Sequence, residues 1–515
     1  MHQSTKIVII SSCLSFFCAC GVSADWRVTV GWDELQDWAE IQEHSLPSAE
    51  SLTIGIVEAA IASNNQETKY MPNPSSSQLS DETIVDATGT NGSEYSGHAT
   101  GVASKFFGNT GSITPNVAGV NCYGVNGFLS AAAPGLLGSE VVFSHAYVST
   151  GVLSEDDTRF YTAVMDSTAV HHGVLNVVGT NNGVNNSLPQ LYSHAFNNLT
   201  VGRSDGLHSS GVIGEGYEYP GRQKPEIVNP QSSTSVATGA TSSLALFLRA
   251  GALSDDAKRP VSIKSILLAG ANKLRFPEWS NSTDLPLDSI YGAGETNILN
   301  SYRILHAGEQ GPGTVTRRGW SYDSVGGIAS HRRFDDYTFT VSDTGDYATL
   351  SANLSWDRYA EVTESEEIEG NYSYKYGDVV DLSLSLYDSG GTLIYESDNA
   401  NNNLEHIWQP NLAPGSYRIR VAFDGNFSQN YALAWRVDAM TDSPRISHVL
   451  GDGEVLIDGA GLLREQLYSV VRSTDLKSWI QIGSVTSDSE GTLGFVDAAP
   501  SSAPEVFYRV RAYPE

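Results

Sequence analysis

The sequence is poor in cysteine and in positive charge, and it has no long apolar run beyond its first two dozen residues. Four cysteines occur in 515 residues, and Cys13, Cys18 and Cys20 lie near the start. Only Cys122 remains downstream, so no internal disulfide can staple the folded chain and cohesion must come from packing. No histidine or basic cluster adjoins Cys122, so it reads as a small buried apolar residue and not as a nucleophile. Lys and Arg number 30 against 59 Asp and Glu, a formal net charge of -29. That excess argues against nucleic acid or anionic lipid as the main partner. No later segment has the 18 or so consecutive apolar residues of a membrane span. There is no His-Glu-x-x-His and no clustered Cys or His, so no metal centre is expected. No fixed-period repeat is present, which excludes a solenoid or propeller.

What is present begins with a leader. Lys6 precedes an apolar or small stretch over residues 7–20, and Val22-Ser23-Ala24 is a small-residue cleavage site. Residues 1–24 therefore read as a signal peptide, with secretion as the consequence. The length fits about three further domains. Over residues 25–310, buried strands at 52–57 and 175–178 alternate with helices at 160–171 and 241–250. This pattern predicts a parallel sheet with helices on both faces. After Gln310-Gly311-Pro312-Gly313 the period becomes two. Leu382, Leu384 and Leu386 alternate with polar residues, as do Tyr417, Ile419 and Val421, predicting a β-sandwich over 311–441. Short strands near 467–471 and 507–510 predict a small β-domain over 442–515. No chemistry-bearing motif lies beyond residue 310, so the tail is expected to be accessory.

Three segments carry chemistry. In Ile54-Gly55-Ile56-Val57-Glu58 an apolar strand delivers a carboxylate at its carboxyl end; Asp86 is the nearest rival acid, without a buried strand before it. In Ser96-Gly97-His98-Ala99-Thr100-Gly101-Val102-Ala103 an imidazole stands among small residues at a helix start. In Ser232-Ser233-Thr234-Ser235-Val236-Ala237-Thr238-Gly239 a serine falls in the first turn of a helix, where free N–H groups and the helix dipole favour developing negative charge. Each segment alone has an ordinary structural explanation: a solvated strand end, a packed histidine, an N-cap serine.

In this order, acid then histidine then serine, the three segments resemble the motifs of subtilisin-like serine peptidases, the subtilases. Lys224-Pro225-Glu226-Ile227-Val228 is similar to that family's Lys-Pro-Asp-Ile-Val. Leu175-Asn176-Val177-Val178-Gly179-Thr180-Asn181-Asn182-Gly183 is similar to its apolar strand ending in Gly-Asn-Glu-Gly. The resemblance covers roughly residues 50–308. It implies a subtilisin-like α/β fold, followed here by two all-β domains, and hydrolysis of polypeptide substrates. Ser235 would be the nucleophile, His98 the general base, Glu58 the triad acid in place of Asp, and Asn181 the oxyanion donor. Ser144 and His145 would form the edge that pairs with substrate. No cofactor is implied; calcium is common in the family, but no loop identifies a site. Residues 314–437 resemble the bacterial pre-peptidase C-terminal sandwich. Trp408 and Trp479 are either core residues or contacts to a surface or polysaccharide.

The pattern departs from the family at several positions. Besides Glu58, Gly101 stands for the second histidine of its motif, Ala99 for a glycine, Ser233 for a glycine and Gly239 for a proline. These departures leave a second reading, an extracellular pseudopeptidase that binds without cleaving.

Overall fold

The computed structural model describes residues 6–7, 25–59, 61–63, 66–89, 95–148, 155–184, 188, 191–273, 275–276, 278–327, 333–341, 348–364, 372–439, 455–459, 467–474, 480–486, 493–498 and 505–512. Of residues 1–24 only Lys6–Ile7 is described, as a two-residue strand beside Glu505 and Val506. The cleavage site, the boundary near residues 441–442 and Trp479 lie outside the described residues.

Seven strands form one parallel sheet: β1 (Thr53–Glu58), β2 (Ile84–Asp86), β3 (Gly119–Gly124), β4 (Glu140–His145), β5 (Leu175–Gly179), β6 (Leu199–Arg203) and β7 (Ile227–Asn229). Their order is β2-β3-β1-β4-β5-β6-β7, and every pairing is parallel. Such strands are covered on both faces, which is why they read as short apolar runs without alternation. The strand β1 shows both coverings. Ile54 and Ile56 join one core, while Val57 joins another on the opposite face. The first core takes in α1 (Trp32–Ile41), α2 (Gly97–Phe106), α5 (Thr234–Gly251) and α6 (Pro260–Gly270). The second takes in Phe128 of α3 (Val125–Ala132) and Val164 of α4 (Glu155–His172). The free thiol of Cys122 is buried in the first core, and burial holds it well above its ordinary pKa.

The chain leaves β1 toward β2 and β3 on one side and continues from β4 on the other. The carboxyl end of β1 is therefore a topological switch point, where open α/β sheets form their ligand crevices. Glu58 is the last residue of that strand.

The period-two region forms two facing sheets. One has the order Gly313–Thr314, Phe334–Val341, Gly415–Ala422, Ser383–Asp388, Leu393–Ser397. The other has the order Arg318–Gly326, Ser428–Ala439, Ala348–Ser355, Leu404–Leu412. Leu384, Leu386 and Ile419 meet Leu350, Ile407 and Leu433 in the core between them. Nearer the C-terminus, Leu467–Ser473 lies between Ile480–Thr486 and Glu505–Ala512, around Tyr468, Val470 and Tyr508.

The tail, expected to be accessory, packs closely on the parallel-sheet region. All eleven residues of α6 are buried, and the helix is apolar nearly all round, the signature of an enclosed helix. Its outer side lies against the sandwich. Ser265 Oγ donates to the carbonyl of Asn353 at 2.7 Å, and Ser351 Oγ donates to that of Ala269 at 2.8 Å. Arg436 spans the helix end, with Nε on Ala269 O and Nη2 on Ala271 O, each at 3.0 Å, so a cation answers the free carbonyls there. Trp320, Leu404 and Ala434 of the sandwich belong to the same core as the parallel sheet.

Candidate active site

Glu58, His98, Asn181 and Ser235 line one cavity of about 470 Å³, together with Ala146, Tyr147 and the start of α2. Three elements deliver them. The strand β1 ends on Glu58. Ser96 caps α2, its Oγ accepting the Ala99 N–H at 3.0 Å, which fixes His98 in the first turn. Ser233 caps α5 and accepts the Val236 N–H at 3.3 Å, leaving Ser235 in the first turn of that helix. The Ser-for-Gly departure at 233 thus has a local reason. The Gly-for-Pro departure at 239 has another: a Cβ there would stand 2.6 Å from the Val102 carbonyl, so glycine lets α5 cross α2 closely. That crossing brings the two helix starts, and with them His98 and Ser235, to one side of the sheet.

The acid and the histidine are joined. His98 Nδ1 lies 2.8 Å from Glu58 Oε2, with the Glu58 side chain 6% exposed and the His98 side chain 48% exposed. The carboxylate bond raises the His98 pKa above its ordinary value, against the opposing effect of burial. Asp86 is engaged elsewhere. It accepts the Thr88 and Gly89 N–H groups at 3.0 and 3.1 Å and the Tyr70 hydroxyl at 2.5 Å, closing a turn after β2.

The start of α5 has a selective pattern of satisfied donors. The Thr234 N–H donates to Asn182 Oδ1 at 3.0 Å, and the Val236 N–H donates to Ser233. Among the described residues the Ser235 N–H meets no acceptor. Asn181 accepts the Asn182 N–H on its Oδ1 at 2.9 Å, which leaves its amide hydrogens as the group on offer. Two unclaimed donors therefore line the cavity beside the serine, the arrangement that an oxyanion requires. The Ser235 hydroxyl itself donates to the Ala146 carbonyl at 3.3 Å, a long bond. Neither Asn182 nor the Ala146 carbonyl was singled out from sequence. Asn182 carries a weak signal, as the second of two adjacent asparagines.

Ser144 and His145 do not line the cavity. Both are fully buried, and the segment presents Ala146, Tyr147 and Val148 instead. The cavity wall thus begins one residue after the pair expected from sequence. His145 sits among Phe128, Phe143 and Tyr192. Its Nε2 faces Asn176 Oδ1 at 3.1 Å and its Nδ1 faces the Tyr147 hydroxyl at 3.2 Å. Burial pulls its pKa down to about 3, so it remains neutral.

The Lys-Pro-Glu run is interior. Glu226 takes Lys224 Nζ at 2.8 Å and Lys264 Nζ at 2.9 Å on one oxygen and the Thr200 N–H at 2.9 Å on the other, tying β6 to β7 and α6. Trp408 is half-buried and outside the core between the two sandwich sheets, with Lys273 Nζ 4.5 Å from its ring centre. Among the described residues no group of three or more His, Cys, Asp or Glu could hold a metal ion, and no helix is long and apolar enough to cross a membrane.

No protein-family model matches this sequence, and no sequence relative stands among the curated proteins. Over 81% of its length the chain is similar to tripeptidyl peptidase 2, at 10% identity and a TM-score of 0.29. It covers 51% of that chain, about half its length. Over 25% of its length it is similar to the pre-peptidase C-terminal domain of a collagenase from Bacillus anthracis, at 17% identity and a TM-score of 0.17, covering 96% of that chain. Likenesses this distant carry no argument about what the chain does.

Proposed function

We propose that this chain is a secreted serine endopeptidase of the subtilisin type, acting on polypeptides through Ser235, His98 and Glu58. One observation carries the reading: the bonded Glu58–His98 pair shares a cavity with a helix-start serine and two unclaimed N–H donors. Ser235 Oγ would attack the scissile carbonyl while His98 Nε2 takes its proton. The developing oxyanion would receive hydrogen bonds from the Ser235 N–H and Asn181 Nδ2. His98 would then protonate the leaving amine, and water would release the acyl group by the same steps in reverse order. Glu58 fixes the imidazole with its proton on Nδ1 and stabilises the imidazolium. The apolar leader supports export.

The second reading, a pseudopeptidase, draws on the Ser235 hydroxyl being bonded to Ala146 and not to His98. A fluorophosphonate probe separates the two readings. An activated Ser235 becomes covalently labelled, and Ser235→Ala loses both label and casein hydrolysis. A folded wild-type protein that never labels refutes the peptidase reading.

A further inference from the structure

The sandwich reaches the wall of the candidate active site along a row of aromatic rings. Tyr147, which lines the cavity, meets Tyr192 at 5.7 Å between ring centres. Tyr192 meets Tyr161 at 6.5 Å, Tyr161 meets Phe160 at 5.7 Å, and Phe160 stacks on Tyr372 at 6.4 Å. Tyr372 belongs to a hairpin of the C-terminal region, formed by Ala360–Glu364 and Tyr372–Tyr376, which leans on α4. His171 Nε2 meets the Ala360 carbonyl at 3.0 Å, and Val362 of the hairpin packs on the same core as Tyr147.

A second grip acts on the loop that carries Tyr192. Asn403 donates from Nδ2 to the carbonyls of Phe196 and Trp356 at 3.0 and 2.8 Å. The Arg358 N–H donates to Asn197 Oδ1 at 2.9 Å, and Asn197 Nδ2 donates back to the Arg358 carbonyl at 2.9 Å. The Arg358 guanidinium lies 4.7 Å from the Phe196 ring centre. The sandwich therefore holds Tyr192 from its loop and from its ring, and Tyr192 in turn supports Tyr147.

We propose that the C-terminal sandwich sets the substrate wall of the cavity, with Tyr372 and Asn403 as positioning residues for Tyr147. This rests on the peptidase reading only where substrate is concerned; the mechanical part does not. A neutral aromatic pair contributes enough that losing one changes a local equilibrium by about two- to tenfold.

Amide hydrogen exchange in the full chain tests the mechanical part. Tyr372→Ala and Asn403→Ala should each speed exchange over residues 146–148 and 191–198 about two- to tenfold, and Tyr372→Phe should restore it. Leu386→Ala, in the sandwich core but off the row, should lower Tm without selective change in those segments. Peptide kinetics test the consequence. A loosened wall raises KM by a similar factor with kcat nearly unchanged, whereas a merely less stable protein loses active enzyme, lowering apparent kcat with KM unchanged. Unaltered exchange in both alanine variants overturns the proposal whatever the catalytic result. A wild-type chain that fails to label at Ser235, yet shows the faster exchange in the variants, sinks the peptidase reading and leaves the buttress standing. Faster exchange with KM unchanged in an active enzyme overturns the link to substrate.

Discussion

His98 and His145 occupy the same end of the sheet with opposite chemistry. His145 closes β4 beside Val57, one residue from the triad acid candidate, yet it is buried and neutral. His98 comes from a helix 40 positions along the chain from Glu58, remains half exposed, and is held toward its charged form by that carboxylate. Nearness to the acid in the sheet did not select the histidine that the acid serves. Direction of the side chain and access to solvent did, because a buried imidazole lacking an anion cannot readily take a proton.

The largest expected effect lies on the His98 side. Glu58→Gln should keep the fold and lower turnover by up to ~10⁴, by analogy with loss of the acid in another triad, while Asp86→Asn should lower it far less. Kinetics on a peptide amide decide this; a fully active Glu58→Gln with a dead Asp86→Asn would reverse the assignment. Next come two asparagines, one within β5 and one in the loop after it. Asn181→Ala should cost ~10²–10³ in kcat with little change in KM, since its bond matters mainly in the transition state. Asn176→Ala, which removes one of the two partners of His145, should instead lower Tm and leave the pH profile of kcat/KM where it was.

The pH dependences should run in opposite directions. The native-state pKa of His145 is depressed, so between about 6.5 and 3 the unfolded chain binds a proton that the native chain refuses. Stability is thus lost as pH falls through that window, at up to about 1.4 kcal/mol per pH unit for the group, and His145→Gln should flatten the slope in denaturant titrations. The native-state pKa of His98 is raised, so its contribution is full below the ordinary histidine value and fades as pH rises through the raised one. For catalysis the same shift moves the acid limb of kcat/KM above pH 6.5, and Glu58→Gln should bring it down. An acid limb unmoved by that substitution would break the comparison.

The parallel strands, the period-two sandwich and the Glu58, His98 and Ser235 segments were legible because each rests on local pattern. Register at the end of β4 was not. A strand buried on both faces lacks alternation, so nothing in Val141-Val142-Phe143-Ser144-His145-Ala146 says which residue reaches the cavity. The Asn182 bond to Thr234 joins a loop to the start of α5, 52 positions along the chain, and leaves no local mark. The enclosure of α6 was readable in principle, since Pro260–Gly270 is apolar nearly all round, but its covering surface comes from a later part of the chain.

That covering imposes an order on synthesis. Arg436 and the strands around Ser351 leave the ribosome up to about 170 residues after α6, a delay of roughly 8–35 s at ordinary elongation rates. Until they arrive, one side of α6 has nothing to pack against. A chain ending at Gln310 thus holds every residue of the candidate site while the sandwich side of α6 stays uncovered.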